Sequence, residues 1–288
     1  MANTTALKRR ITSVKNTKQI TKAMELVSAS KMRRAQDHAA KSRDFKRMAQ
    51  DLLNRLSELT DVTKHPLYKQ RVVTNRLHIL ITSDRGLAGA FNSNLFRAFT
   101  KELIKDQDLG VKSSVILVGK QGSKFVAKLD GIDVIAAYDS FPETQTANDI
   151  NPILNEIVSS FLNGSADAVD VTYTDFKSSI SQVVQTDRLL PAVFKPSKIN
   201  KDEEKAIFEP SPDAVLDAVT ERFIEVQLNQ AFSESQASEQ SMRMMAMKSA
   251  SDNATDLVDD LTLAFNTARQ AAITQELAEI SGGAEAMK

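Results

Sequence analysis

Asp213 to Ser281 reads DAVLDAVTERFIEVQLNQAFSESQASEQSMRMMAMKSASDNATDLVDDLTLAFNTARQAAITQELAEIS, with no glycine or proline between Pro212 and Gly282. Such a run predicts one helix, on the order of 100 Å long at about 1.5 Å of rise per residue, too long to lie within one small core. Its apolar residues recur at alternating spacings of three and four: Leu216, Val219, Phe223 and Val226, then Ala237, Met244, Met247, Ala254, Val258, Leu261, Phe265, Ala268 and Ala272. This heptad-type stripe needs a partner helix. For Met242, Met244, Met245 and Met247, core packing of a coiled coil and an adaptable surface that tolerates sliding are both consistent with methionine's unbranched chain.

The partner lies at the other end of the chain. From about Thr4 to Thr60 the apolar grid runs Leu7, Ile11, Val14, Ile20, Met24 and Val27, then Phe45, Ala49, Leu52, Leu56 and Leu59. Between them Ser28, Ala29, Ala35, Ala39 and Ser42 form a small-residue face that lets a neighbouring helix come close. Charge agrees with the pairing. Residues 1–60 carry 14 Lys/Arg against 5 Asp/Glu, a balance of +9, and residues 213–288 carry 5 against 13, a balance of −8. The C-terminal helix is longer by about a dozen residues, so its tip, with Ile273, Leu277 and Ile280, is expected to project roughly 20 Å and to need a sleeve from other subunits.

All the prolines, and all but two of the glycines, fall between Pro66 and Pro212. There, strand and helix patterns alternate: Leu77–Thr82 as strand, Ser93–Lys105 as helix, Val115–Val118 as strand, Ser123–Leu129 as helix, Ile132–Ala137 as strand and Ile150–Leu162 as helix. Ala168–Thr174 and Ser181–Thr186 complete the set as two strands around a short turn. Buried strands alternating with helices predict an open, largely parallel, Rossmann-like sheet with an antiparallel edge at its end. The expected fold class is therefore α/β, with a long antiparallel coiled coil of residues 1–65 and 213–288 around a central domain of residues 66–212. A charged connector, Lys198 to Lys205, is bracketed by prolines.

No cysteine is present, which excludes disulfides and thiolate metal sites. The first 30 residues lack an apolar core of a signal peptide, and no segment approaches 18 uninterrupted apolar residues, so no direct membrane span is expected. His38, His65 and His78 lack a second ligand at i+3 or i+4, and neither metal nor cofactor is expected. Gly86-Leu87-Ala88-Gly89-Ala90 and Gly119-Lys120-Gln121-Gly122 each follow a strand and precede a helix, where phosphate sites are often built, but neither completes a nucleotide fingerprint. Plain strand-to-helix turns and an anion site remain the two readings. Ser83-Asp84-Arg85 reads as loop polarity or a turn cap, since adjacent residues on an extended segment point apart. The basic residues Lys8, Arg9, Arg10, Lys31, Arg33, Arg34 and Arg47 fit phosphate contacts, yet no aromatic residues for stacking stand among them, so no nucleic acid is expected. An α/β enzyme with helical dimerisation arms is the other alternative class.

Ile11-Thr12-Ser13-Val14-Lys15-Asn16-Thr17-Lys18-Gln19-Ile20-Thr21-Lys22-Ala23-Met24, with Ser28-Ala29-Ser30-Lys31-Met32, resembles the N-terminal signature of the gamma subunit of F-type ATP synthase. Ala237-Ser238-Glu239-Gln240 leading into Arg243-Met244 and Ala246-Met247-Lys248, with Ala268-Arg269-Gln270-Ala271-Ala272-Ile273-Thr274-Gln275-Glu276-Leu277, is similar to that family's C-terminal signature. Thr82 to Leu87 resembles its middle motif, although this chain has Gly86-Leu87-Ala88-Gly89-Ala90 where the family commonly has Gly-Leu-Cys-Gly-Gly.

The resemblance implies a non-catalytic rotor shaft, one copy per complex, turning inside an alpha3beta3 hexamer and coupling ion (proton) flow to ATP synthesis or hydrolysis at the beta subunits. It implies the epsilon subunit and the membrane c-ring as further partners, no cofactor, and a peripheral place on the cytoplasmic side of a bacterial-type cell membrane. Carried over by position, Arg269, Gln270 and Thr274 would meet the beta-subunit loops at the upper shaft, and Met24, Lys31 and Arg243 the lower, torque-transmitting contacts.

Overall fold

The computed structural model describes residues 2–59, 61, 65–140, 142, 146–192, 209 and 211–285. The connector at 198–205 lies outside them. In chain order the elements are α1 (Ala2–Leu59), β1 (Asn75–Ile81), α2 (Phe91–Asp108), β2 (Lys112–Val118), α3 (Lys120–Val126), β3 (Asp133–Tyr138), α4 (Ala147–Leu162), β4 (Ala168–Phe176), β5 (Gln182–Leu190) and α5 (Pro212–Glu285). All eight segments expected between Leu77 and Thr186 are present: α2, β2, α4, β4 and β5 run longer than expected, α3 lies three residues earlier, β3 one residue later, and β1 starts two residues earlier and stops before Thr82. Among the described residues, no helix is long and apolar enough to cross a membrane.

The chain divides into two compact units: Met1–Ala29 with Arg243–Lys288, and Ser30–Met242. The second unit is built on a five-stranded sheet in the order β3-β2-β1-β4-β5. The first four strands are parallel, and β5 returns antiparallel to β4. Alternate residues of β1 divide the core, as the period of a strand requires. Leu77, Ile79 and Ile81 face a large cluster with α4 (Ile150, Ile153, Ile157, Phe161), the end of α1 (Leu53, Leu56) and the start of α5 (Leu216, Phe223, Ile224, Leu228, Phe232). Leu80 faces Phe99 of α2 and Val126 of α3.

The same sheet face carries a buried ion network. His78 Nε2 lies 2.7 Å from Asp106 Oδ2, and Ser113 Oγ donates to that oxygen at 3.1 Å. Arg76 bridges Asp106 at 3.3 Å and Asp170 at 3.0 Å, and Arg188 closes on Asp170 from the edge strand. Burial alone would raise the Asp106 carboxyl, but the His78 hydrogen bond and the Arg76 charge hold it below the usual carboxylate value. His65 accepts from Leu67 N at 3.2 Å and reaches Asp217 at 3.0 Å. Two of the three histidines thus serve the fold.

The first unit is a two-helix seam. Every expected residue of α5 from Met247 onward, Ala254, Val258, Leu261, Phe265, Ala268 and Ala272, is buried or half-buried. On α1 the expectation fails in part. The covered positions are Leu7, Ile11, Val14, Lys18, Thr21, Glu25 and Ser28, an unbroken three-four alternation, whereas Ile20 and Val27 are 60% and 53% exposed. They sit one position before Thr21 and Ser28, on the flank of the seam. The two best-covered of these seam positions are the small residues Thr21 and Ser28, at 8% and 2% exposed.

Candidate functional site

Three regions hold the residues that a function could use: the outer surface of the two-helix unit, the C-terminal ends of the parallel strands, and the junction of α5 with the sheet.

On the two-helix unit the seam leaves large apolar residues outside. Ile20, Leu26, Val27, Met245, Leu257 and Leu263 are exposed on its flanks, and Ile273, Leu277 and Ile280 are 49%, 60% and 70% exposed at the tip, where residues 273–282 are all exposed. Ala23, Leu26 and Val258 floor a groove rimmed by Lys15, Lys18 and Lys22. An apolar series of this length is unusual for a surface that faces only water. Arg269, Gln270 and Thr274 are exposed within it, and Thr274 Oγ1 donates to Gln270 O at 3.0 Å. Met24 is half-buried beside the seam, and Arg243 is 7% exposed. Lys31, half-buried, belongs to the sheet-bearing unit, and both it and Arg243 have interaction partners. Arg269, Gln270 and Thr274 are therefore brought together on one stretch of helix. Met247 is buried and Met245 exposed, so the methionine cluster serves seam and surface at once.

At the end of β2, in the Gly119–Gly122 loop, the structure decides between turn and anion site. Asp84 Oδ1 accepts Lys120 N at 3.2 Å and Ser140 N at 3.1 Å, tying the loops after β1, β2 and β3 together. The next amides of α3 are engaged too: Gln121 N donates to Ser83 O at 3.1 Å and Gly122 N to Thr82 Oγ1 at 2.9 Å. The three amides that would cradle a phosphate are thus taken by the chain's own Thr82, Ser83 and Asp84, with an internal carboxylate in the place of the anion. The reading of Asp84 as a cap holds, although it caps a helix two elements away. Asp84→Ala, which removes an acceptor shared by two backbone amides, is expected to cost about 1–2 kcal/mol. Urea unfolding measures it, and a midpoint equal to that of the unsubstituted chain would reject the tie.

The third region was not legible in the sequence. α5 is covered nearly all round from Phe223 to Ser241. Glu234, 3% exposed, accepts Arg43 Nε of α1 at 3.2 Å and Gln230 Nε2 at 2.8 Å. These residues line a polar cavity with Tyr173, Asp175, Lys177 and Gln185. Asp175 pairs with Lys177 and accepts from Gln185, and Tyr173 Oη donates to Asp187 at 2.9 Å. Burial pushes the Glu234 carboxyl above the usual carboxylate range; the Asp175 charge adds to this, while the Gln230 hydrogen bond and the Arg43 charge oppose it. Burial likewise raises Tyr173, helped by Asp187 and Glu234. The signal in the sequence was the interruption of the apolar stripe between Val226 and Ala237 by Ser233, Glu234 and Ser235.

Comparison with known proteins agrees over the whole chain. A family model described as ATP synthase matches residues 3–287. The chain is 38% identical over 288 residues to the ATP synthase gamma chain of Moorella thermoacetica, and 38% identical over 290 residues to that of Histophilus somni, with all of each chain covered. Its fold matches a chain of the Tetrahymena thermophila mitochondrial ATP synthase central stalk/c-ring, with TM-score 0.63 and 24% identity, over 81% of this chain and 99% of that one. It also matches a chain of the Euglena gracilis mitochondrial ATP synthase OSCP/F1/c-ring in rotational state 3, with TM-score 0.69 and 18% identity, over 99% and 95%.

Proposed function

The chain belongs to the ATP synthase gamma chain family, and from that premise we propose that it is the non-catalytic rotor shaft of an F-type ATP synthase. In this reading residues 1–65 and 213–288 are the shaft helices and residues 66–212 the body that meets the c-ring and the epsilon subunit. The shaft stands in a ring of three alpha and three beta subunits. The observation that carries the reading is the row of exposed apolar residues on the two-helix unit, ending in Ile273, Leu277 and Ile280. A partner must cover that row in the working state.

One chain inside a threefold ring presents different faces to three equivalent beta subunits, so their nucleotide sites differ at any instant. Turning the shaft then changes each site in sequence, which links ion flow, taken as protons, to ATP synthesis or hydrolysis. The chain touches no lipid in this scheme and is peripheral, on the cytoplasmic side of a bacterial cell membrane. The Tetrahymena and Euglena chains with this fold come from central-stalk and c-ring assemblies, which supports the placement.

Native mass spectrometry of the tagged chain, purified from its own cells in mild detergent, tests this. The expected particle holds one copy with three copies of each of two larger subunits; a homodimer, or a monomer carrying nucleotide, would overturn the reading. Within it, Arg269, Gln270 and Thr274 meet the beta subunits, and Met24, Lys31 and Arg243 the lower torque contacts. Joint replacement of Arg269 and Gln270 by alanine removes exposed polar contacts without disturbing the seam. A loss on the order of tenfold in ion-driven synthesis is expected, equivalent to about 1.4 kcal/mol of lost interaction. Synthesis at the unsubstituted rate would remove the upper-shaft assignment.

A further inference from the structure

Many hydroxyls of the long helices bond within their own helix. Thr12, Thr17 and Thr21 of α1 and Thr255, Thr262, Thr267 and Thr274 of α5 donate to the carbonyl four residues earlier in their own helix. That is the default for a helical hydroxyl. Ser238 and Ser241 depart from it. Ser238 Oγ donates to Thr174 O of β4 at 3.1 Å, and Ser241 Oγ donates to Ser179 O of the β4–β5 turn at 2.9 Å. Gln182 Nε2, at the start of β5, lies 3.3 Å from Ser241 Oγ, 2.9 Å from Ser179 O and 3.0 Å from Ser178 O. Both serines are 0% exposed, so no water competes for these bonds.

Glu234, Ser238 and Ser241 recur at i, i+4 and i+7, which places them on one face of α5. Glu234 holds Arg43 of α1. Lower on the same helix, Phe223, Ile224, Leu228 and Phe232 belong to the apolar cluster that also includes residues of the sheet and α4. The hydrophobic driving force has no preferred direction, so packing alone sets a helix's rotation and axial position less sharply than a hydrogen bond does. A hydrogen bond fixes both, because it fails when distance and angle change.

We propose that Ser238 and Ser241, with Gln182, key α5 to the β4–β5 edge, so that torque on the α/β body is delivered to the C-terminal helix through directional bonds, on the same helix face that holds Arg43 of α1. The functional half of this statement rests on the rotor reading; the mechanical half does not. Ser238 and Ser241 are positioning residues, since both are fully buried and act through the carbonyls they hold.

The test joins Ser238→Ala to Ser241→Ala and compares the pair with Ser235→Ala. Ser235 is buried on the same helix, and its hydroxyl has no hydrogen-bond partner among the described residues, so its loss removes a hydroxyl without removing a tie. In membrane vesicles bearing the assembled complex, ATP hydrolysis by the paired variant is expected within about twofold of the unsubstituted complex, while ion-driven synthesis and ATP-driven pumping fall about fivefold or more. Ser235→Ala is expected to keep all three. Unchanged pumping and synthesis in the paired variant, or an equal loss in Ser235→Ala, overturns the key.

Failure of the rotor reading is distinguishable, because then the unsubstituted chain itself gives no coupled synthesis. Amide exchange on the full-length chain tests the key in that case too. Protection over 177–182 and 236–243 is expected to drop in the paired variant while that over 223–232 holds. Identical exchange in paired and unsubstituted chains overturns the key whatever the complex does.

Discussion

Replacing Leu261 by proline is expected to abolish ion-driven ATP synthesis while leaving the α/β body folded. Leu261 is 8% exposed in the seam of the two-helix unit, with Val258 and Phe265 half-buried on either side of it along α5. Proline there removes the amide that bonds to the carbonyl of Leu257 and drives its ring into that turn, at a local cost of about 3 kcal/mol or more. That shifts the balance between intact and broken helix on the order of 100-fold. In the proposed rotor role, a helix bent at this point would no longer present one rigid asymmetric surface to the beta subunits. The body has its own core, centred on Leu77, Ile79, Phe161 and Phe232, in the other compact unit, so far-ultraviolet dichroism and sheet amide protection should change little. Leu261→Ala is the comparison. It keeps the amide, trims a seam side chain at about 2–3 kcal/mol, the low end for a buried leucine, and should lower synthesis without eliminating it. Full synthesis by the proline variant would be incompatible with a torque-bearing helix at this position.

The parts of the molecule that were readable in advance are those governed by local period and local breakers. The glycine-free run after Pro212, the three-four stripe on it and the strand–helix alternation between Leu77 and Thr186 each follow from spacing within a dozen residues. The antiparallel last strand followed from the short turn near Lys177–Ser179. Ile20 and Val27 were misplaced because apolar character does not distinguish a seam position from its flank. Which residue faces the partner depends on the heptad phase, and the small residues Thr21 and Ser28 hold it. Asp84 was read only as loop polarity or a turn cap, since nothing in the sequence says that the loops after β2 and β3 end within 3.2 Å of its carboxylate. Arg43 and Glu234 stand 191 residues apart, and Ser238 and Thr174 stand 64 apart. Pairings of that range are products of the fold and have no local signature. The exposed apolar tip is the opposite case: Ile273, Leu277 and Ile280 were legible because their four-three spacing carries the apolar pattern of α5 on to its end.

Gly119→Ala is expected to be the most destabilising single-methyl change in the body. Gly119 ends β2 and opens α3 at φ +94°, a conformation open to glycine and costly for any residue with a Cβ. A methyl group built there would lie 2.2 Å from Thr82 O and 2.7 Å from both Thr82 C and Oγ1, inside any van der Waals contact and against backbone that cannot swing aside. Thr82 has no slack to offer. Its amide donates to Val118 O at 2.8 Å, its hydroxyl donates to the same oxygen at 2.9 Å, and that hydroxyl accepts Gly122 N at 2.9 Å. Moving Thr82 therefore strips bonds from β2 and from the first turn of α3, and pulls on Asp84 two residues away. Backbone strain of about 1–3 kcal/mol and overpacking of about 1–3 kcal/mol act together, giving roughly 2–6 kcal/mol, a large share of a typical domain's stability. Gly86→Ala is the internal control. Nothing lies within 4 Å of its added methyl group and its φ is not positive, so a change within about 0.5 kcal/mol is expected. Paired urea unfolding curves decide the matter. Equal midpoints for the two alanine variants would mean that the close approach of Gly119 to Thr82 is absent from the folded chain. A large loss confined to Gly119→Ala would show that the glycine-rich turns serve to pack β1 against the start of α3, the same contacts by which Thr82 to Asp84 occupy the place of an anion.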